Sequence, residues 1–117
     1  MERLIPLYSR WEIANRVEEL AEAMNRDYEG KKLVMVGILK GAFVFLADLI
    51  RCLRVPSVVD FVGLSSYGPA NQSSQQIVLT KDLQVSIEGK DVLVVEDILD
   101  TGLSVDFVLK HLRERRP

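Results

Sequence analysis

Apolar residues recur at steps of four, three and four from Ile13 through Val17 and Leu20 to Met24, widened by Ala14 and Ala21, while Glu18, Glu19 and Glu22 fall on the other side. That period predicts an amphipathic helix. Its start is written in Ser9-Arg10-Trp11-Glu12, a capping box, with Tyr8 and Ile13 spaced as a hydrophobic staple. Gly30 is a natural stop. The pattern then changes. Leu33 to Leu39 (LVMVGIL) is a short apolar run rich in β-branched residues, which predicts a strand buried on both faces. Lys40-Gly41 interrupts it, and Ala42 to Leu53 predicts a second helix. The first half of that helix (AFVFLA) is apolar on every side, so it needs a core or an interface, and part of it is expected to contact another subunit.

Pro56 breaks the chain, and Ser57 to Leu64 (SVVDFVGL) predicts a second strand. Ser65 to Gln76 (SSYGPANQSSQQ) is polar and carries Gly, Pro and Asn, which predicts a long flexible loop. Ile77 to Thr80 returns as the other arm of a hairpin around that loop. Gly89-Lys90 turns into a strand from Asp91 to Val95. A last helix starts near Gly102, with Val105, Val108, Leu109 and Leu112 inward and Asp106, Lys110 and Arg113 toward water. Strands alternating with helices imply βαβ units, an α/β fold around a parallel sheet.

Length and composition narrow the class. At 117 residues the chain is one domain, residues 1–117. With 48% hydrophobic and 27% charged residues it is an ordinary globular composition, which excludes disorder. A net charge of -2 gives no electrostatic footprint for nucleic acid. The single cysteine, Cys52, excludes an internal disulfide framework, is compatible with a reducing cytoplasm, and lies in an apolar helix as a buried structural thiol. No apolar run has the length of a membrane span, and the N-terminus shows no secretory signal. His111, the one histidine, sits mid-helix beside a charged face and reads as a solvated surface residue.

The chemistry concentrates in Val94 to Ser104, VVEDILDTGLS. An apolar strand runs into two adjacent carboxylates, Glu96 and Asp97; Asp100 follows, and Thr101-Gly102-Leu103-Ser104 opens a helix. In open α/β sheets, ligands sit beyond the carboxyl ends of the strands. The acids lie there, and so does Lys40-Gly41 after the first strand. The turn offers backbone N–H groups at the positive end of a helix, with hydroxyls from Thr101 and Ser104, and Gly102 permits close approach. That suits a phosphate. It is neither a GxxxxGK[ST] phosphate loop nor a GxGxxG dinucleotide turn. Two neighbouring carboxylates can accept bonds from vicinal sugar hydroxyls or hold a hard cation such as Mg²⁺. Crowded acids raise one another's pKa, and a metal reverses that. Asp100, beside the phosphate turn, is placed for proton transfer. The plainer alternative is that Asp100 caps the last helix.

VVEDILDTGLS resembles the phosphoribosyl-diphosphate signature of the type I phosphoribosyltransferases, in the Asp-Thr-Gly form of the 6-oxopurine (hypoxanthine-guanine) branch. VGILKGAFVFLADLIR (Val36 to Arg51), VDFVGLSSYG (Val59 to Gly68) and IEGKDVLVVED (Ile87 to Asp97) are similar to the same branch, so the likeness spans nearly the whole chain. The resemblance implies a Rossmann-like parallel sheet flanked by helices, with a flexible hairpin loop. It implies transfer of a phosphoribosyl group from phosphoribosyl diphosphate to hypoxanthine or guanine, in purine salvage, with Mg²⁺, in the cytoplasm, by a homodimer or homotetramer. By this resemblance Glu96 and Asp97 contact the ribose hydroxyls and Mg²⁺, and Asp100 is the general base or acid at N7 of the purine. Thr101, Gly102, Leu103 and Ser104 bind the 5′-phosphate. Lys40 and Gly41 form the pyrophosphate loop, which in the family contains a cis peptide, and Ser66 and Tyr67 close over the site from the flexible loop.

The family continues with a further strand and a hood segment carrying base-recognition residues, and these have no counterpart before Pro117. The expectation is a chain that keeps the phosphoribosyl half of the site, with β-strand Asp91 to Val95 at an edge and weak or no transfer by the 117 residues alone. The alternative function is a non-catalytic module that binds phosphoribosyl diphosphate or nucleotide. A pyrimidine-operon-type RNA regulator on the same fold is disfavoured by the acidic net charge.

Overall fold

The computed structural model describes residues 7–67, 76–99 and 102–117. Its elements run α1 (Arg10–Asp27), β1 (Leu33–Leu39), α2 (Phe43–Cys52), β2 (Ser57–Tyr67), β3 (Gln76–Lys81), β4 (Asp91–Val95) and α3 (Leu103–Arg113). The four strands form one sheet in the order β3-β2-β1-β4. β1 is parallel to both β2 and β4, and β3 returns antiparallel to β2. The expected α/β architecture is therefore present, and among the described strands β4 lies at one edge of the sheet and β3 at the other.

The alternation along β1 divides the core. Leu33 and Met35 face a cluster with Val17, Ala21 and Met24 of α1 and Leu46 and Leu49 of α2. Val34, Val36 and Ile38 face the other cluster, with Val62, Ile87 and α3's Val108 and Leu112. A strand with helices on both sides has no wet face, which explains the unbroken apolar run.

The capping box of α1 is formed: Ser9 Oγ accepts from Glu12 N at 3.1 Å, and Glu12 Oε1 accepts from Ser9 N at 3.2 Å. The buried stripe differs from the expected one. Val17, Ala21, Met24 and Asn25 are buried, whereas Ile13 and Leu20 remain 53% and 44% exposed. α1 approaches α2 through its small residue, Ala21, and this turns the outer positions of the stripe toward solvent. Asn25 is buried for a reason the period does not carry: its Oδ1 accepts from Arg54 N at 2.8 Å and Val55 N at 3.1 Å, anchoring the chain where it leaves α2.

α2 is also less enclosed than its composition predicts. Leu46 and Leu49 are buried, but Phe43 and Val44 are exposed. Cys52 is half-buried against the α1/α2 core. β2 runs three residues beyond its expected end, because Ser65, Ser66 and Tyr67 pair with Val78, Ile77 and Gln76 of β3. Those residues were expected in the flexible loop; ladder hydrogen bonds make them strand instead. His111 is a second correction. It is not solvated: its side chain is 22% exposed and bonded to Asp82. No described helix is long and apolar enough to cross a membrane.

Candidate phosphoribosyl site

The register of the parallel strands sets the site. Gly37 of β1 lies opposite Val95 of β4, and Leu39 lies opposite Gly63 of β2. β1 therefore runs two residues past the last rung it shares with β4. Carried forward, that register sets the turn after β1 beside Glu96 and Asp97, which follow β4. The turn itself is tight: Ala42 N donates to Ile38 O at 3.2 Å, and the Leu39–Lys40 peptide is cis, as the family resemblance implied.

The two loops touch. A Cβ on Gly41 would fall 2.5 Å from Asp97 Oδ2, 2.6 Å from Oδ1 and 2.7 Å from Cγ. The Asp97 carboxylate thus occupies the space a side chain at residue 41 would fill. Lys40 and Gly41 are exposed, as is Asp97, while Glu96 is half-buried.

Backbone N–H groups hold the acid pair. Glu96 Oε1 accepts from Asp97 N at 3.0 Å, and Asp97 Oδ1 accepts from Ile98 N at 2.9 Å. Burial, and next the adjacent Asp97 carboxyl, push the Glu96 carboxyl above its ordinary range, against the pull of the Asp97 N–H. No basic side chain among the described residues forms an ion pair with either acid. Crowded, uncompensated carboxylates at a surface favour a cation or a row of hydroxyl donors. No group of three metal-ligating side chains occurs among the described residues, so Glu96 and Asp97 can supply part of a coordination sphere and a ligand's oxygens and water the rest.

α3 begins at Gly102, whose φ of 82° is open to glycine at little cost. Its carbonyl accepts the first helical bond, from Asp106 N at 2.9 Å, and it has no side chain with which to cap the helix. The positive end of α3 follows the acid loop along the chain, with Ser104 half-buried in the first turn and Leu103 exposed. The expected catalytic Asp100 and the phosphate-turn Thr101 lie outside the described residues. Ser66 and Tyr67 sit at the end of β2, where Tyr67 is exposed; the tip they lead to, residues 68–75, also lies outside them.

The structure thus assembles Lys40, Gly41, Glu96 and Asp97 at one end of the sheet, with Gly102, Leu103 and Ser104 at the start of the following helix. The steric dependence of Asp97 on Gly41 was missed in the sequence. The signal available for it was the glycine after a buried strand, which marks a close approach without naming the partner.

Comparison with known proteins bears on the family and the fold. Residues 7–117 match the phosphoribosyl transferase domain family. The hypoxanthine-guanine phosphoribosyltransferase of Dictyostelium discoideum is 44% identical over 115 residues, covering 95% of this chain and 64% of that protein. The Aquifex aeolicus enzyme of the same name is 46% identical over 107 residues, covering 91% of this chain and 60% of that one. The chain therefore spans somewhat less than two thirds of these relatives' length. Among solved structures, a Bacillus anthracis hypoxanthine-guanine phosphoribosyltransferase with HEPES in its active site superposes with a TM-score of 0.92 at 41% identity, covering all of this chain and 69% of that one. A mutant Trypanosoma cruzi hypoxanthine phosphoribosyltransferase in a ternary substrates complex gives 0.86 at 39% identity, covering 95% and 65%. Sheet order, the acid pair, the turn that meets it and the match over residues 7–117 lead to one assignment: this chain belongs to the phosphoribosyl transferase domain family.

Proposed function

We propose that these residues bind 5-phosphoribosyl diphosphate and serve the transfer of its phosphoribosyl group to hypoxanthine or guanine, giving IMP or GMP and pyrophosphate in purine salvage. The observation that carries the reading is the contact between the Asp97 carboxylate and the Lys40-Gly41 turn beyond the carboxyl ends of β4 and β1. One ligand that bears a vicinal diol and a diphosphate can span both loops.

In this reading Glu96 and Asp97 accept hydrogen bonds from the ribose hydroxyls. Lys40 and the backbone at Gly41 hold the departing pyrophosphate. Gly102, Leu103 and Ser104, with Thr101, bind the 5′-phosphate at the positive end of α3. Asp100 takes or gives the proton at N7 of the purine. Displacement at the anomeric carbon passes through an oxocarbenium-like state, so the work of the residues is to orient the sugar, balance charge and exclude water. The hairpin that carries Ser66 and Tyr67 is the element suited to cover the site. Glu96 and Asp97 are the residues that would hold Mg²⁺, which would supply charge neutralisation for the leaving group. A cytoplasmic enzyme acting as a homodimer or homotetramer fits this function.

The test is calorimetric titration of phosphoribosyl diphosphate with and without Mg²⁺, followed by pyrophosphate release with hypoxanthine, guanine or xanthine as acceptor. Saturable Mg²⁺-dependent binding is expected, with weak or no transfer by the 117 residues alone, and Asp100→Asn should abolish whatever transfer is measured. Absence of binding to phosphoribosyl diphosphate would defeat the proposal.

A further inference from the structure

We infer that Gly41 is a positioning residue for the ribose-binding carboxylate: its missing side chain is the seat of Asp97. The role is separate from the part of the same residue in holding pyrophosphate, and it rests on the reading of Asp97 as a ligand of the ribose hydroxyls.

Space, not backbone freedom, demands the glycine. Of the described glycines, the positive-φ ones are Gly30, Gly89 and Gly102, and Gly41 is not among them. Around those three an added Cβ meets nothing within 4 Å, whereas at Gly41 it meets three atoms of one carboxylate between 2.5 and 2.7 Å. No real Cβ tolerates such distances. The carboxylate is also held in place by its own loop: Asp97 Oδ1, one of the atoms a Cβ at 41 would meet, accepts from Ile98 N at 2.9 Å. Asp97 is therefore fixed by a backbone donor of its own loop while it lies against the bare Cα of the neighbouring one. Any side chain at 41 forces the carboxylate to turn and to give up the Ile98 bond. Asp97 is exposed, so it can turn without disturbing the core. The cost falls on the site rather than on the fold.

The experiment compares the wild-type chain, Gly41→Ala, Asp97→Ala and the double variant. The probes are ribose 5-phosphate, which carries the diol and no diphosphate, and pyrophosphate alone. Gly41→Ala is expected to weaken ribose 5-phosphate binding by about tenfold, the scale of losing a bond to a charged acceptor. Asp97→Ala is expected to weaken it similarly, and the double variant no further. A change of less than about twofold in Gly41→Ala, or losses that multiply in the double variant, would overturn the inference, as would a loss confined to pyrophosphate. Should Gly41→Ala fail to fold, recovery of folding in the double variant supports the seat and failure in both overturns it. The ligand-free Ile98 amide resonance supplies a readout that needs no substrate. It shifts in Gly41→Ala if the carboxylate has turned, and an unchanged resonance overturns the seat even where phosphoribosyl diphosphate binds. Loss of all binding by the wild-type chain, with the Ile98 shift present, counts against the functional reading and leaves the seat established.

Discussion

His111 Nε2 lies 2.9 Å from Asp82 Oδ1, and this contact joins α3 to the connection between β3 and β4. Arg115 approaches the other oxygen of the same carboxylate, and the Leu83 N–H donates to Oδ1 at 2.7 Å. Burial pushes the Asp82 carboxyl up, but the bonds from His111 and Leu83 and the charges of His111 and Arg115 outweigh it and hold the group below its usual range. Asp82→Ala should cost about 1 kcal/mol of folding stability, since the carboxylate is partly screened by water. In a denaturant double-mutant cycle, His111→Ala in the Asp82→Ala background should cost less than it does alone.

Asp60, like Asp82, makes the fold sensitive to acid. Its Oδ1 accepts from Phe61 N at 2.8 Å, and its Oδ2 accepts from Gln84 N at 2.7 Å and Val85 N at 3.1 Å. Burial raises its pKa, yet these three N–H groups and the Lys81 ammonium lower it further, to a net value below the ordinary one. The unfolded chain then takes up this proton first as pH falls. Stability from Asp60 is full above about pH 4, the unfolded value, and is lost as pH drops through the folded value beneath it. Asp60→Asn should lower stability near neutral pH by about 2 kcal/mol and flatten its decline below about pH 4. Denaturant melts across that range measure both effects.

Gly37 sits in the middle of β1, where a Cβ would fall 2.9 Å from Leu46 Cδ2 and 3.0 Å from the Phe61 ring. Gly37→Ala should destabilise by about 1–2 kcal/mol through overpacking, with little change in denaturant slope. Gly37→Ala combined with Leu46→Val, which frees the nearer contact, should recover part of that loss in the same melt.

Ser104 is the hydroxyl in the first turn of α3. If it serves a 5′-phosphate, Ser104→Ala should reduce affinity for ribose 5-phosphate about tenfold and leave thermal stability within a degree or so, since the Ser104 hydroxyl makes no bond in the ligand-free fold among the described contacts. Affinity for pyrophosphate alone should not change. Titration with the two ligands separates the outcomes.

The alternation of helix and strand was legible because each element carries a strong period or an unbroken apolar run. β1 through β4 begin where the sequence places them, to within a residue. The period failed where tertiary contacts overrode it. α1 turned its Ala21 side inward because two helices approach more closely over a small residue, and this left Ile13 and Leu20 outside. β2 outran its expected end because Ser65 to Tyr67, polar and loop-like in composition, acquire partners in β3.

The site was legible as a set of residue types and not as a geometry. Adjacent acids after an apolar strand, and a small hydroxyl-rich turn before a helix, are the residue types on which the proposed chemistry rests. That Asp97 rests against Gly41, fifty-six positions earlier in the chain, depends on the register between β1 and β4, which no local pattern records. His111 was misread for a similar reason. Its partner, Asp82, comes from a distant turn, and a histidine beside charged neighbours looks solvated until that turn is folded over it.

β4 hydrogen-bonds to one described strand only, β1. The carboxylates at its end and the Lys40-Gly41 turn are therefore mounted on the same beam. Any tilt of β1 carries both together, so the spacing between the acid pair and the Lys40-Gly41 turn is set by the sheet itself. The β2–β3 hairpin hangs from the opposite side of that beam and has its own ladder. On the proposed function, closure over the ligand would then need a swing of the hairpin alone, because the two loops that face the sugar and its leaving group already sit at a set distance.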